Sequence, residues 1–216
     1  MSKKSVKAKA IYHLIKSYVR ASGKKKSLFI DCGSNVGQGF EFFSKYLRPG
    51  KFDYLLIEPN PVCINILRER YGRRNEVEIL HAAVWTQVGK MNLYGTEISG
   101  DEAPTLGASI IESHNSRYYA NDDSKAILVD TLDFAELISQ QSNIYDRLVV
   151  KMDIESAEYA VLQHLLATGS ISNIKDMFVE FHSRFFKEEE QHQYQELEGE
   201  LMRAAKLAGT NIRQWY

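Results

Sequence analysis

The stretch Leu28-Phe-Ile-Asp-Cys-Gly-Ser-Asn-Val-Gly-Gln-Gly-Phe40 constrains the fold of this chain more than any other. Leu28 to Ile30 reads as a short buried strand that ends at Asp31, and Gly33, Gly37 and Gly39 strip the following turn of side chains. Phe40, Phe42, Phe43, Tyr46 and Leu47 then recur at roughly helical spacing, so the turn opens into a helix. Ser34 or Asn35 is placed to cap that helix. Bare backbone between a strand and a helix lets a ligand approach main-chain groups to hydrogen-bonding distance.

The spacing narrows the ligand. A dinucleotide fingerprint runs Gly-x-Gly-x-x-Gly; here the order is Asp31-x-Gly33-x-x-x-Gly37, with an acid at the strand tip. That acid would repel a pyrophosphate and suits a cationic amino group. No phosphate loop of the Gly-x-x-x-x-Gly-Lys-Ser/Thr type occurs. The turn resembles the first motif of Rossmann-like methyltransferases that use S-adenosylmethionine.

A second predicted strand, Phe52 to Glu58, runs into Pro59 and Pro61. One crossover after the first strand, its tip lies beside the glycine turn. Glu58 follows Gly37 by 21 positions, the offset at which a carboxylate accepts from both ribose hydroxyls of a nucleoside. Glu76 to Val84 reads as a third strand, whose Ala82 and Ala83 leave room for a flat adenine ring. Gly89 separates Val84-Trp85 from Met91 to Tyr94, a predicted hairpin. Ala126 to Asp130 is read as a further strand, followed by a capped helix over Thr131 to Ile138.

Between them, Gly95 to Lys125 is polar and irregular, the mark of a functional loop or of disorder. Its Ser109, His114, Arg117, Tyr118 and Tyr119 offer groups for holding an acceptor. The second chemical cluster follows Leu148 to Met152, an apolar strand interrupted by Lys151. Its end carries Asp153, Glu155 and Glu158, acids that crowd negative charge where a cation or a departing proton can sit. A last long strand, Asp176 to His182, is tipped by Glu180 and His182, and a short final strand is expected near Thr210 to Trp215.

Taken in order, these motifs resemble the FkbM family of methyltransferases. They are Asp31-Cys-Gly33-Ser-Asn35-Val-Gly37, Glu58-Pro59, Ala83-Val84, Thr131-Leu132-Asp133, Lys151-Met-Asp153-Ile-Glu155-Ser156-Ala-Glu158 and Val179-Glu180-Phe-His182. Ser156 stands where the family carries glycine. The resemblance covers roughly residues 27 to 182 and implies an α/β, Rossmann-like three-layer αβα sandwich with a mostly parallel sheet. It implies S-adenosylmethionine as cofactor, held by Asp31, Gly33, Asn35, Gly37, Glu58, Pro59, Ala82, Ala83 and Asp153. It also implies methyl transfer to a hydroxyl on a sugar, glycoconjugate or natural product. Asp153 is the first candidate base, with His182 and Glu155 next. Two carboxylates and an imidazole would suit magnesium or manganese, but Lys151 already supplies positive charge, so metal-free catalysis is expected.

Charge is unevenly spread. Residues 1–26 hold nine Lys or Arg and no acid; removing them from the 27 leaves 18 bases against 28 acids, a balance of −10. Ile11, Leu14, Ile15 and Tyr18 give this basic segment an amphipathic helical pattern. It is read as a unit separate from a methyltransferase domain over 27–216, packed by its apolar stripe or clamping an anionic acceptor. The latter keeps an RNA methyltransferase as an alternative, beside a non-catalytic partner subunit of the same fold. Cys32 and Cys63 are too few for a disulfide framework. No apolar run approaches a membrane span and no secretory signal is read, so a cytoplasmic location is expected.

Overall fold

The computed structural model describes residues 3–20, 25–96, 107–114 and 124–215. Its centre is a six-stranded sheet built from β1 (Ser27–Cys32), β2 (Phe52–Glu58), β3 (Val77–His81), β7 (Arg147–Met152), β8 (Ile174–Val179) and β9 (Asn211–Gln214). The order is β3-β2-β1-β7-β8-β9, and every pairing in it is parallel. The chain winds outward from β1 on one side and from β7 on the other. A crevice therefore opens at the carboxyl ends of these two strands, where open sheets of this kind bind ligands.

Strands buried on both faces read as nearly continuous apolar runs, and alternate residues serve alternate layers. Leu28, Ile30 and Cys32 face one core with Leu55, Ile57, Leu148 and Val150. That core is covered by helices α4 (Phe134–Ile144), α5 (Glu158–Ala167) and α6 (Glu188–Leu207). Phe29 faces the other core with Tyr54, Leu56, Val149 and Phe178. It is covered by α1 (Lys3–Arg20), α2 (Gln38–Ser44) and α3 (Pro61–Tyr71). The three-layer α/β architecture is thus the one expected.

The basic segment is part of this structure. Ala10 and Leu14 of α1 are buried in the same aromatic cluster as Phe43, Phe52 and Trp215, and Tyr18 stacks on Phe52 at 6.4 Å. Ile15, assigned to the apolar stripe, is instead half exposed. No helix among the described residues is long and apolar enough to cross a membrane.

Several boundaries differ from those read in the sequence. β1 continues through Asp31 to Cys32, because Lys151 stands directly opposite Asp31 in the β1–β7 register and compensates its charge. The expected hairpin does not form: β4 (Ala83–Trp85) and β5 (Gly89–Leu93) both pair with β6 (Ile127–Asp133), which lies between them. β6 runs through Thr131, whose hydroxyl donates to the Gln87 carbonyl. The helix after it starts later, capped by Asp133, which accepts from the amides of Ala135 and Glu136. At α2, neither Ser34 nor Asn35 caps: Gly37 takes the N-cap position. Ser34 donates to the Asp31 carbonyl, and the Asn35 side chain accepts from Val36.

Candidate functional site

The glycine turn hangs from two strand ends. The amides of Gly33 and Ser34 both donate to the Ile57 carbonyl at the end of β2. Gly33 has φ 72°, and a Cβ there would lie 1.9 Å from the Asp153 carbonyl oxygen. Gly37 has φ 99°, and a Cβ there would meet the Tyr71 ring at 2.6 Å. Any side chain at either position would force the turn apart, which is why glycine occupies them.

A cleft opens above this turn. It is lined by eight of the expected site residues: Gly33, Asn35, Glu58, Pro59, Ala82, Ala83, Asp153 and Glu155. Glu58 ties the wall together, one carboxylate oxygen accepting from the Asn35 amide and the other from the Asn60 amide, both at 2.9 Å. Burial pushes its pKa up to about 7 against the lowering effect of those two amides. Each oxygen keeps a lone pair for a ligand hydroxyl.

Three expected residues lie off the cleft. Asp31 is completely buried beneath the turn, its Oδ1 3.1 Å from Lys151 Nζ. The same ammonium donates to the Gly33 carbonyl at 2.8 Å and lies 3.3 Å from Asp153 Oδ2. Lys151 is thereby held charged: burial opposes the proton, but Asp153 and Asp31 outweigh it and raise the pKa. Gly37 lies at the start of α2. His182 stands behind the acids, with Nε2 3.4 Å from Glu155 Oε2 and 3.7 Å from Asp153 Oδ1.

Two residues named in the sequence, Glu158 in the acid cluster and His114 in the acceptor loop, make contacts the sequence did not assign. Glu158, fully buried, accepts from the Ile154 amide and from His182 Nδ1 through one oxygen. His114 Nδ1 lies 2.7 Å from Ser156 Oγ, and its Nε2 lies 3.6 Å from Glu155 Oε2. Burial, with His182 and Arg184 nearby, lowers the His114 pKa to about 3, so its ring is neutral. Of the proposed acceptor loop, Ser109 bonds the Glu155 carbonyl, while Arg117, Tyr118 and Tyr119 lie outside the described residues. Leu93, Ala108 and Ile110 add apolar lining from the small sheet and the loop.

The electrostatics divide the cleft into two ends. At one end the Glu58 carboxylate is held in the wall by the Asn35 and Asn60 amides. At the other end Asp153, Glu155, Glu158 and Glu180 converge on one imidazole. Burial pushes the Glu155 pKa up to about 7 although His182 opposes it. Burial alone would lower the His182 pKa, but Glu158, Glu155 and Asp153 overcome it and push it up to about 10. Such an end attracts cations and draws protons.

Residues 31–207 match the model of the methyltransferase FkbM domain. The chain is also similar to the crystal structure of methyltransferase FkbM from Methylobacillus flagellatus KT. The identity is 18% and the TM-score 0.39, over 74% of this chain and 34% of that one. This chain therefore spans about a third of that protein's length. No curated protein matches.

Proposed function

We propose, since the chain belongs to the FkbM methyltransferase family, that it moves a methyl group from S-adenosylmethionine to an acceptor hydroxyl. The acceptor class we favour is a sugar, a glycoconjugate or another small natural product. One observation carries the reading: the glycine turn, the Glu58 tip, the Ala82-Ala83 wall and the Asp153-Glu155 acids all border one cleft.

The residues fit this cofactor. Glu58 retains lone pairs toward the cleft for ribose hydroxyls, and the small Ala82 and Ala83 side chains leave room for a flat base. Gly33 and Asn35 bring bare backbone to the cleft, and Pro59 lines it beside Glu58. Asp31 acts one step back from the amino-group role read in the sequence. It holds Lys151, which in turn fixes the Gly33 carbonyl. When bound, S-adenosylmethionine supplies an activated methyl carbon, which bonds the acceptor oxygen as its bond to sulfur breaks and the electron pair stays on sulfur.

The protein's remaining work is to position the acceptor and take its proton. Asp153 faces the cleft with one oxygen near Lys151 and the other toward His182. It is our first candidate for receiving the proton, with Glu155 beside it. We also place the chain in the cytoplasm; its Cys32 and Cys63 are buried thiols, in keeping with a reducing compartment.

Calorimetry with S-adenosylmethionine, followed by labelled-methyl transfer to sugar, lipid-linked sugar and RNA acceptors, tests the reading. Saturable cofactor binding and label on a hydroxyl acceptor are expected. Absence of cofactor binding by the folded chain would remove the enzyme reading, and label found on RNA bases would replace the acceptor class.

A further inference from the structure

We propose that Asp153, Glu155 and His182 form a site for one divalent first-row metal ion at the acidic end of the cleft. The site itself stands on geometry; its meaning for catalysis rests on the methyltransferase reading above.

The imidazole is the decisive group. His182 has 2% of its side chain exposed, and its Nδ1 is committed to Glu158 Oε1 at 2.9 Å. Its ring stacks on Phe185, which sets the plane. The second nitrogen, Nε2, makes no hydrogen bond among the described residues. It is aimed at Glu155 Oε2 (3.4 Å), Asp153 Oδ1 (3.7 Å) and Glu180 Oε1 (3.9 Å). Glu155 Oε2 is buried and also has no hydrogen-bond partner among the described residues. A nitrogen lone pair facing three carboxylate oxygens is repulsive unless a positive charge lies between them. That charge is either a proton on Nε2 or a metal ion.

Spacing and surroundings fit the ion. The ligand atoms of Asp153, Glu155 and His182 all lie within 4.8 Å of one another. Metal bonds of about 2.0–2.2 Å put neighbouring octahedral ligands about 3 Å apart; His182 Nε2, at 3.4 Å from Glu155 Oε2 and 3.7 Å from Asp153 Oδ1, is within about 1 Å of that spacing, and side-chain rotation of the two acids closes the rest. Metal-binding histidines commonly donate their other N–H to a carboxylate, which fixes tautomer and ring orientation. Glu158 stands in that position.

The sequence argument against a metal relied on Lys151, and the structure commits that charge elsewhere. Its Nζ serves Asp31, the Gly33 carbonyl and only the far oxygen of Asp153. No Lys or Arg among the described residues pairs with Glu155, and Arg184 pairs with Glu180. Two carboxylates with one imidazole suit manganese, iron or zinc better than calcium. An acceptor hydroxyl joining the ion as a further ligand becomes more acidic. Its proton passes to an uncoordinated carboxylate oxygen of the cluster, and the oxygen left behind forms the new bond to the methyl carbon.

The test uses the full chain after chelator treatment, titrated with Mn²⁺ while electron paramagnetic resonance follows the free ion. One saturable equivalent is expected. Glu155→Gln and His182→Gln should each weaken it at least tenfold, and Glu158→Gln by roughly 10–100-fold, the usual effect of losing such an orienting partner. Circular dichroism checks that each variant folds; Glu155, with 22% of its side chain exposed, is the variant least prone to misfold. No saturable Mn²⁺ binding, or binding untouched in a folded Glu155→Gln, would overturn the site and leave a proton on Nε2. Calorimetry with S-adenosylmethionine on the same samples keeps the two readings apart. Lost cofactor binding with intact Mn²⁺ binding would remove the methyltransferase and retain the metal site.

Discussion

Ser156 Oγ lies 2.7 Å from His114 Nδ1, so the turn that leaves β7 is bonded to the loop segment over the cleft. Ser156 has φ 77°, a left-handed conformation that favours glycine, the residue the related motif carries there. A non-glycine residue in that region costs about 1–2 kcal/mol. The hydrogen bond to buried His114 is what the serine contributes in return.

Ser156→Gly should therefore relieve backbone strain while removing the Ser156–His114 hydrogen bond, a loss of about 0.5–1.5 kcal/mol. The two terms are of similar size, so the thermal midpoint should move little. Hydrogen exchange in residues 107–114 should nevertheless speed up. Unchanged exchange there would show that the Ser156–His114 bond does not anchor the loop.

Glu58→Ala should weaken S-adenosylmethionine binding by about 1.5–3 kcal/mol, the worth of hydrogen bonds to a charged group. It also strips the Asn35 and Asn60 amides of their acceptor, so the variant's melting point must be measured alongside. Glu58→Gln keeps one carbonyl acceptor and should fall between wild type and Glu58→Ala. A dissociation constant unchanged in both would remove Glu58 from the cofactor site.

The acidic cluster should make the metal-free protein less stable as pH rises. His182 binds its proton more tightly when folded, with a pKa of about 10 against an ordinary 6.5. Its contribution is therefore complete below pH 6.5 and lost as pH climbs through 10. Glu155 and Glu58, both raised from 4.5 to about 7, lose theirs as pH rises through 7. Melting points taken with chelator from pH 5 to 10 should fall across both windows, and His182→Gln should flatten the upper one. A melting point that rose between pH 7 and 10 would contradict the sign.

Leu14→Ala should cost about 2–5 kcal/mol, the range for truncating a buried leucine, because Leu14 is completely buried in the aromatic core. No described residue of α1 lines the cleft. At temperatures where the variant stays folded, its affinity for S-adenosylmethionine should remain within a few-fold of wild type. A specific loss of affinity without loss of stability would place α1 in the cofactor site.

Much of this was legible in the sequence because both faces of a parallel strand are buried. Leu148 to Met152 and Tyr54 to Ile57 announce themselves as apolar runs, and the residues that interrupt or end them are the ones with chemistry. Short strands carry too few residues for that signal, so the pairing of β4 and β5 with β6 was invisible locally. Residue type also does not reveal direction: Asp31 and Glu58 both sit near a strand tip, yet one turns into the core toward Lys151 and the other toward the cleft. Contacts such as Glu158 with His182, made across 24 positions, exist only once the sheet has assembled.

The aromatic layer also sets an order for how the chain can mature. Ala10 and Leu14, near one end of the described residues, share a cluster with Trp215, which follows β9. During synthesis the early helix can meet Phe43 and Phe52 as soon as they emerge, but the layer closes only when Trp215 has followed β9. Pairings between such distant parts are slow, and exposed apolar surface in the interval invites aggregation. Chaperone capture of a chain stalled before β9 should accordingly centre on this aromatic layer, and release should coincide with the docking of β9.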